Sequence, residues 1–148
     1  MLPTRAGAAP YTKRWLGLVD GIDLHYTASR FDVRVEAIAR YQVGPNSQEE
    51  FPAIAYTLVV THDGIVHWCH DLDVRCWHNG APGHNSTRIG VCYTGDHEPN
   101  VAQLAALRGL TPWLEGQLDR ALLVEGHKDH YATACPGPTW PSWRAALL

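Results

Sequence analysis

Polarity alternates residue by residue from Ile22 to Tyr26, between Gly21 and Ser29, and a period of two predicts a strand that ends by delivering His25 and Thr27. A helical period follows. Phe31, Val35, Ile38 and Tyr41 or Gln42 fall on one face, Ser29 and Asp32 have the spacing of a capping box with Asp in place of Glu, and Gly44-Pro45 ends the run. Ala53 to Val60 and Ile65 to Cys69 read as two strands around Thr61-His62-Asp63-Gly64, where Asp-Gly marks a hairpin turn. Arg88 to Tyr93 is a further strand. Helical pattern resumes over Val101 to Leu110, is re-capped by Thr111 with Pro112 at a first helical position, and continues to about Leu118. Leu122 to Glu125 is a short apolar strand leading into Gly126 and His127, and Trp140 to Leu148 is expected to form a short helix on the body. Strand and helix patterns interleave without repeat or low-complexity linker, which predicts a mixed α/β domain.

Composition narrows the possibilities. The chain has 148 residues, 45% hydrophobic and 18% charged, so residues 1–148 are expected to form a single domain able to bury its own core. The formal net charge of −3, with Lys and Arg scattered, argues against nucleic acid and anionic membrane surfaces as partners. Pro3, Gly7 and Pro10 interrupt the start of the chain where a secretory signal needs an unbroken apolar run, and no stretch is apolar for a membrane span's length. A cytoplasmic protein without signal peptide or membrane insertion is therefore expected. The four cysteines, Cys69, Cys76, Cys92 and Cys135, are too few and too unevenly placed for a disulfide framework; Cys92 reads as a core residue, and Cys69 and Cys76 as paired or free.

Chemistry concentrates in Gly126 to Gly137, where His127 and Cys135 stand eight residues apart before a Pro-Gly turn. Imidazole nitrogen and thiolate sulfur are ligands that zinc prefers, and irregular chain of this length brings both onto one ion. Two ligands make half a site. His25 is the best candidate for the third, because it ends one strand as His127 follows another, and neighbouring strands would bring the two imidazoles together. Three N/N/S ligands leave a fourth tetrahedral position open, as in catalytic zinc sites. Spacing alone is equally compatible with a surface-loop His127 and a half-buried Cys135 thiol.

Five motifs in order resemble the type 2 N-acetylmuramoyl-L-alanine amidases, the superfamily of phage amidase-type lysozymes and peptidoglycan recognition proteins. They are Ile22 to Ser29, Tyr56 to Gly64, Trp77-His78-Asn79-Gly80 with His84-Asn85-Ser86, Ser86 to Gly95, and Gly126 to Gly137; the motif-bearing region spans about residues 20–140. The resemblance implies a central mixed β-sheet flanked by helices, and Zn2+ held by His25, His127 and Cys135. It implies that Tyr56 lies beside the zinc water and that Thr133 occupies the position of a Lys that stabilises the oxyanion in many relatives. It places His78, Trp77 and Asn85 along the substrate groove. The implied reaction is hydrolysis of the amide between N-acetylmuramic acid and L-alanine of peptidoglycan or muropeptides, by a monomeric phage or prophage endolysin that reaches the cell wall after release. A non-catalytic peptidoglycan-binding module and a cytosolic muropeptide-recycling amidase are the alternatives.

The remaining residues with chemical potential receive plainer readings. Lys128 is expected to point away from the metal, and His130 to be an exposed histidine without a ligand role. Asp129 or Glu125 would act as general base only if the backbone presents one of them. His67 and His70 are three apart on a strand and face opposite sides. Trp15, Trp113, Trp140 and Trp143 are expected as packing anchors, with Trp68 and Trp77 left open.

Overall fold

The computed structural model, which describes residues 1–147, is organised around a five-stranded sheet. Its strands are β1 (Gly21–Tyr26), β2 (Leu58–Val60), β3 (Val66–Trp68), β4 (Arg88–Tyr93) and β5 (Leu123–Gly126), in the order β3-β2-β4-β1-β5. The β2–β3 hairpin is antiparallel, and the β2–β4, β4–β1 and β1–β5 pairs are parallel. The helices are α1 (Val35–Val43), α2 (His84–Thr87), α3 (Val101–Leu118) and α4 (Trp140–Arg144). This is the mixed sheet flanked by helices that the sequence leads one to expect.

Strand alternation assigns the two faces of the sheet. Ile22 and Leu24 of β1, Leu58 and Val60 of β2, and Ile89, Val91 and Tyr93 of β4 join Leu107, Leu110 and Leu114 of α3 and Trp140 and Trp143 of α4 in the larger core. Burying one such leucine contributes on the order of 1.5–3 kcal/mol, so this face supplies most of the hydrophobic stabilisation. On the other face Val59 and Cys92 pack with Ile54 against Val35, Ile38 and Ala39 of α1. There β1 presents Asp23 and His25, both buried. The register pairs His25 with Cys92 and Leu24 with Gly126, so the residue after Gly126 emerges beside His25.

Several local expectations are corrected. Ser29 and Asp32 do not cap α1: the Ser29 hydroxyl donates to Thr27 Oγ1 at 2.9 Å and Asp32 pairs with Arg30, so the helix starts after extended Arg34 and Phe31 stays 62% exposed. The strand expected from Ala53 shortens to β2, because the chain before it is held elsewhere: the Ala55 amide donates to Gln42 Oε1 on α1. Helix α3 runs unbroken through Pro112, since Pro112 and Arg108, whose carbonyl loses its partner, both face solvent. Its true cap is Asn100, in a reciprocal capping box with Gln103. Trp140 and Trp143 are buried as expected, whereas Trp15 and Trp113 are exposed. All four cysteines are free, and Cys92 lies in the core. The last helix ends earlier than expected, and Leu148 lies outside the described residues.

Candidate metal centre

His25, His127 and Cys135 converge where β1 and β5 end. A ligand atom from each lies within 4.8 Å of the others. His25 Nδ1 is 3.5 Å from Cys135 Sγ, and the His25 and His127 ring centroids are 4.6 Å apart. Beyond β5 the chain turns tightly, and the turn is held at both ends. Asp129 Oδ2 accepts from the Gly126 amide and from Trp140 Nε1, each at 2.8 Å, while the Lys128 amide donates to the Cys135 carbonyl at 2.8 Å. Gly126 makes this packing possible: a Cβ there would lie 2.7 Å from Trp140 Nε1 and 2.8 Å from Pro136 Cδ.

A chain of hydrogen bonds sets the protonation of His25. The Arg88 carbonyl accepts from His78 Nε2 at 3.3 Å, so His78 Nδ1 is bare; it lies 3.1 Å from His25 Nε2, which must donate. His25 Nδ1 then carries the lone pair and faces Cys135. Burial, reinforced by neighbouring His78 and His127, holds His25 well below the usual imidazole range, and burial pushes His78 down to about 3. His127 is likewise lowered to about 4, by burial and then by His130 and His84. Neutral imidazoles are the ligand state. Burial raises the Cys135 thiol to about 12, which a cation would reverse by favouring the thiolate. His127 Nε2 is buried without a hydrogen-bond partner. This orphaned nitrogen, the bare His25 Nδ1 and the adjacent sulfur fit a zinc ion.

The structure brings Tyr56 beside these ligands, with its ring centroid 5.3 Å from that of His25. Burial first, then Cys92 and Cys135, pushes its phenol well above the ordinary range, so it is a proton donor and not a phenolate. Thr133 Oγ1 accepts from the Cys135 amide at 3.3 Å, leaving the hydroxyl proton free to donate. From Tyr56 an open cleft of about 540 Å3 extends along Thr27, Ala28 and Ser29 to Ala37 and Tyr41 of α1.

Three other positions, His78, Asn85 and His130, are corrected. The His78 side chain is 0% exposed and lies behind His25, so it does not line a groove; Gly90 leaves the room it fills, since a Cβ there would sit 2.5 Å from His78 Cγ. Asn85 is engaged on both sides of its amide with the Asn79 backbone, at 2.8 and 2.9 Å, and holds the loop instead of facing a ligand. Trp77 is exposed, edge-on to Tyr11 with centroids 5.4 Å apart. Lys128 turns to the Gly137 carbonyl. His130 is not exposed: its side chain is 14% accessible, because the turn folds its ring back to 3.1 Å from Glu125 Oε2 and against His84, with centroids 4.1 Å apart. Glu125 Oε2 accepts from Arg88 at 2.9 Å, so Asp129 and Glu125 are both engaged in structural contacts. Sequence reasoning missed Asp23, which accepts from Asn79 at 2.6 Å and is pushed by burial up to about 6. Its place two residues before His25 on one strand face was the available signal.

The chain belongs to the N-acetylmuramoyl-L-alanine amidase family, whose sequence model matches residues 16–138. The endolysin of Klebsiella phage KP32 is 30% identical over 125 residues, covering 79% of this chain and 78% of that protein. The fold is shared with the Ph2119 endolysin from Thermus scotoductus MAT2119 bacteriophage Ph2119, at TM-score 0.77 and 23% identity over 93% of this chain and 89% of that one. Bumblebee PGRP-SA matches at TM-score 0.74 and 19% identity, covering 93% and 90%.

Proposed function

We propose that the chain hydrolyses the amide bond between N-acetylmuramic acid and L-alanine of peptidoglycan, using zinc held by His25, His127 and Cys135. The observation that carries this reading is the convergence of two neutral imidazoles and a thiol beside a protonated Tyr56 at the mouth of an apolar cleft. Zinc bound there supplies Lewis acidity, which acidifies water to a pKa of about 7 and polarises a carbonyl.

The side chains around that position do the rest. His78 keeps His25 in the tautomer with a bare Nδ1. Tyr56 donates its phenolic proton in a hydrogen bond to the oxyanion that develops as the amide carbon becomes tetrahedral, and Thr133 has a free hydroxyl proton for the same charge. Burial of His25 strengthens these interactions by excluding water. The cleft between Tyr56 and α1 is the place for the substrate, with Thr27 and Ser29 offering polar groups along an otherwise apolar wall.

Likeness to the KP32 phage endolysin supports a role as a phage or prophage endolysin; storage in the cytoplasm as a monomer and action on the wall after release are part of the same proposal. Among the described residues no helix is long and apolar enough to cross a membrane. The second reading is a peptidoglycan-binding module without catalysis on the same fold. Purified cell walls decide between them. The amidase reading expects turbidity loss and stem peptides with free N-terminal alanine by mass spectrometry, both abolished by a chelator and by Cys135→Ala. Wall binding without release of peptides supports the binding module, and lysis that survives chelator and Cys135→Ala overturns the zinc site.

A further inference from the structure

A second set of metal-type donors lies on the same face of β1, one pleat before His25. Asp23 Oδ1, His84 Nδ1 and His130 Nε2 are each shielded from solvent and each lacks a hydrogen-bond partner. Donor atoms of these three residues lie within 4.8 Å of one another. His130 Nε2 is 3.6 Å from Asp23 Oδ1, and His84 Nδ1 is 3.9 Å from Asp23 Oδ2. Donors placed about 2.0–2.2 Å from a tetrahedral zinc ion stand roughly 3.2–3.6 Å apart, so small side-chain rotations would close the set. Orphaned buried polar atoms are uncommon, and three that converge imply one missing partner.

Charge decides what that partner is. Asp20, Asp23 and Glu125 surround a single guanidinium, that of Arg88. Asp20 is 58% exposed and screened by solvent. Asp23 and Glu125, 0% and 23% exposed, face the same single guanidinium, so carboxylate outweighs cation here and a divalent cation suits the region better than a water molecule. Asn79 Nδ2 occupies Asp23 Oδ2, so Oδ1 is the free oxygen, and Glu125 Oε2 lies 3.1 Å from His130 Nε2 as a fourth donor.

We propose that Asp23, His84 and His130, with Glu125 alongside, form a second site for a divalent cation of the zinc class. Imidazole and carboxylate donors suit Zn2+ and its spectroscopic substitute Co2+. Four protein donors make a closed, structural site. The ion joins β1, the loop at α2 and the turn after β5, the three segments that carry His25, His78 and His127. No side chain is shared with the His25, His127 and Cys135 group, so each site can be emptied separately.

Cobalt titration of the full chain, with bound metal counted by elemental analysis, tests this. Wild type is expected to bind two Co2+ per chain. Cys135→Ala/His127→Ala is expected to keep one and to lose the thiolate charge-transfer band. His84→Ala/His130→Ala is expected to keep that band and one ion, and the single His84→Ala, at a side chain 23% exposed, to weaken the second ion at least tenfold. Zinc should raise the Tm of Cys135→Ala/His127→Ala, and no longer do so once His84→Ala is added. One ion in wild type, lost entirely with Cys135→Ala/His127→Ala, overturns the second site while leaving the first intact. Two ions unaffected by replacing His84 and His130 overturn it as well.

Discussion

His25 and His78 meet through Nε2 and Nδ1 at 3.1 Å, and the Arg88 carbonyl behind His78 decides which of the two donates. A backbone oxygen thus selects the nitrogen that His25 offers to a metal. Partners that orient a ligand in this way typically account for 10–100-fold in metal affinity. His78→Ala is therefore expected to weaken zinc about 10–100-fold in a chelator competition while Cys135 and His127 stay in place. Gly90→Ala should act in the same direction, because its Cβ collides with the His78 ring. Unchanged zinc affinity in both variants would show that His25 is oriented without His78.

The Tyr56 ring lies beside His25 and its phenol is held protonated. Loss of one oxyanion donor reduces kcat about 100- to 1000-fold, or roughly 2.7–4 kcal/mol of barrier. Tyr56→Phe should show a fall of that order in peptide release from cell walls, with full zinc content by elemental analysis. Zinc loss in Tyr56→Phe would mean that the phenol supports the site and not the reaction.

Asp129 holds the turn that follows β5, by accepting from Gly126 and from the indole of Trp140, a residue 1% exposed. Asp129→Ala leaves that indole N–H buried without an acceptor, a loss of about 1–3 kcal/mol. Asp129→Asn retains a carbonyl oxygen and should recover most of it. Urea denaturation of the two variants checks the ordering, and zinc affinity should fall with Asp129→Ala because His127 lies inside the same turn.

The elements that place His25 and His127 were readable because they depend on local periodicity. The alternation from Ile22 to Tyr26 turns His25 away from the larger core, and the short run before Gly126 ends where His127 begins; the parallel β1–β5 pairing then joins them. What was not readable depends on contacts between distant segments. His78 appears as a groove residue until Gly90, across the sheet, is seen to make room for its ring. His130 appears exposed until the turn folds it onto Glu125 and His84. Ser29 has the composition of a cap, but its hydroxyl finds Thr27 first. Pro112 signals a helix start, and only the solvent exposure of its turn explains why α3 continues.

His70 provides a test of stability against pH away from the candidate metal centre. Its Nε2–H donates to the Ile54 carbonyl at 2.8 Å and its ring packs edge-on to Tyr11. Burial lowers its pKa below the ordinary value of 6.5, against the opposing pull of the Ile54 carbonyl and Asp71. Because the folded value is the lower one, the unfolded chain binds the proton first as the solution is acidified. The neutral ring's contribution is fully present above about 6.5 and is lost as the pH falls from there through the folded value. His70→Gln retains a donor for Ile54 and removes the titration. Urea denaturation from pH 7.5 to 5.5 should show wild type losing stability more steeply than His70→Gln, by at most about 1.4 kcal/mol per pH unit for one proton. The comparison isolates His70 because His25, His78 and His127 titrate in both proteins, and parallel curves would show that this ring takes up its proton equally in the folded and unfolded chains.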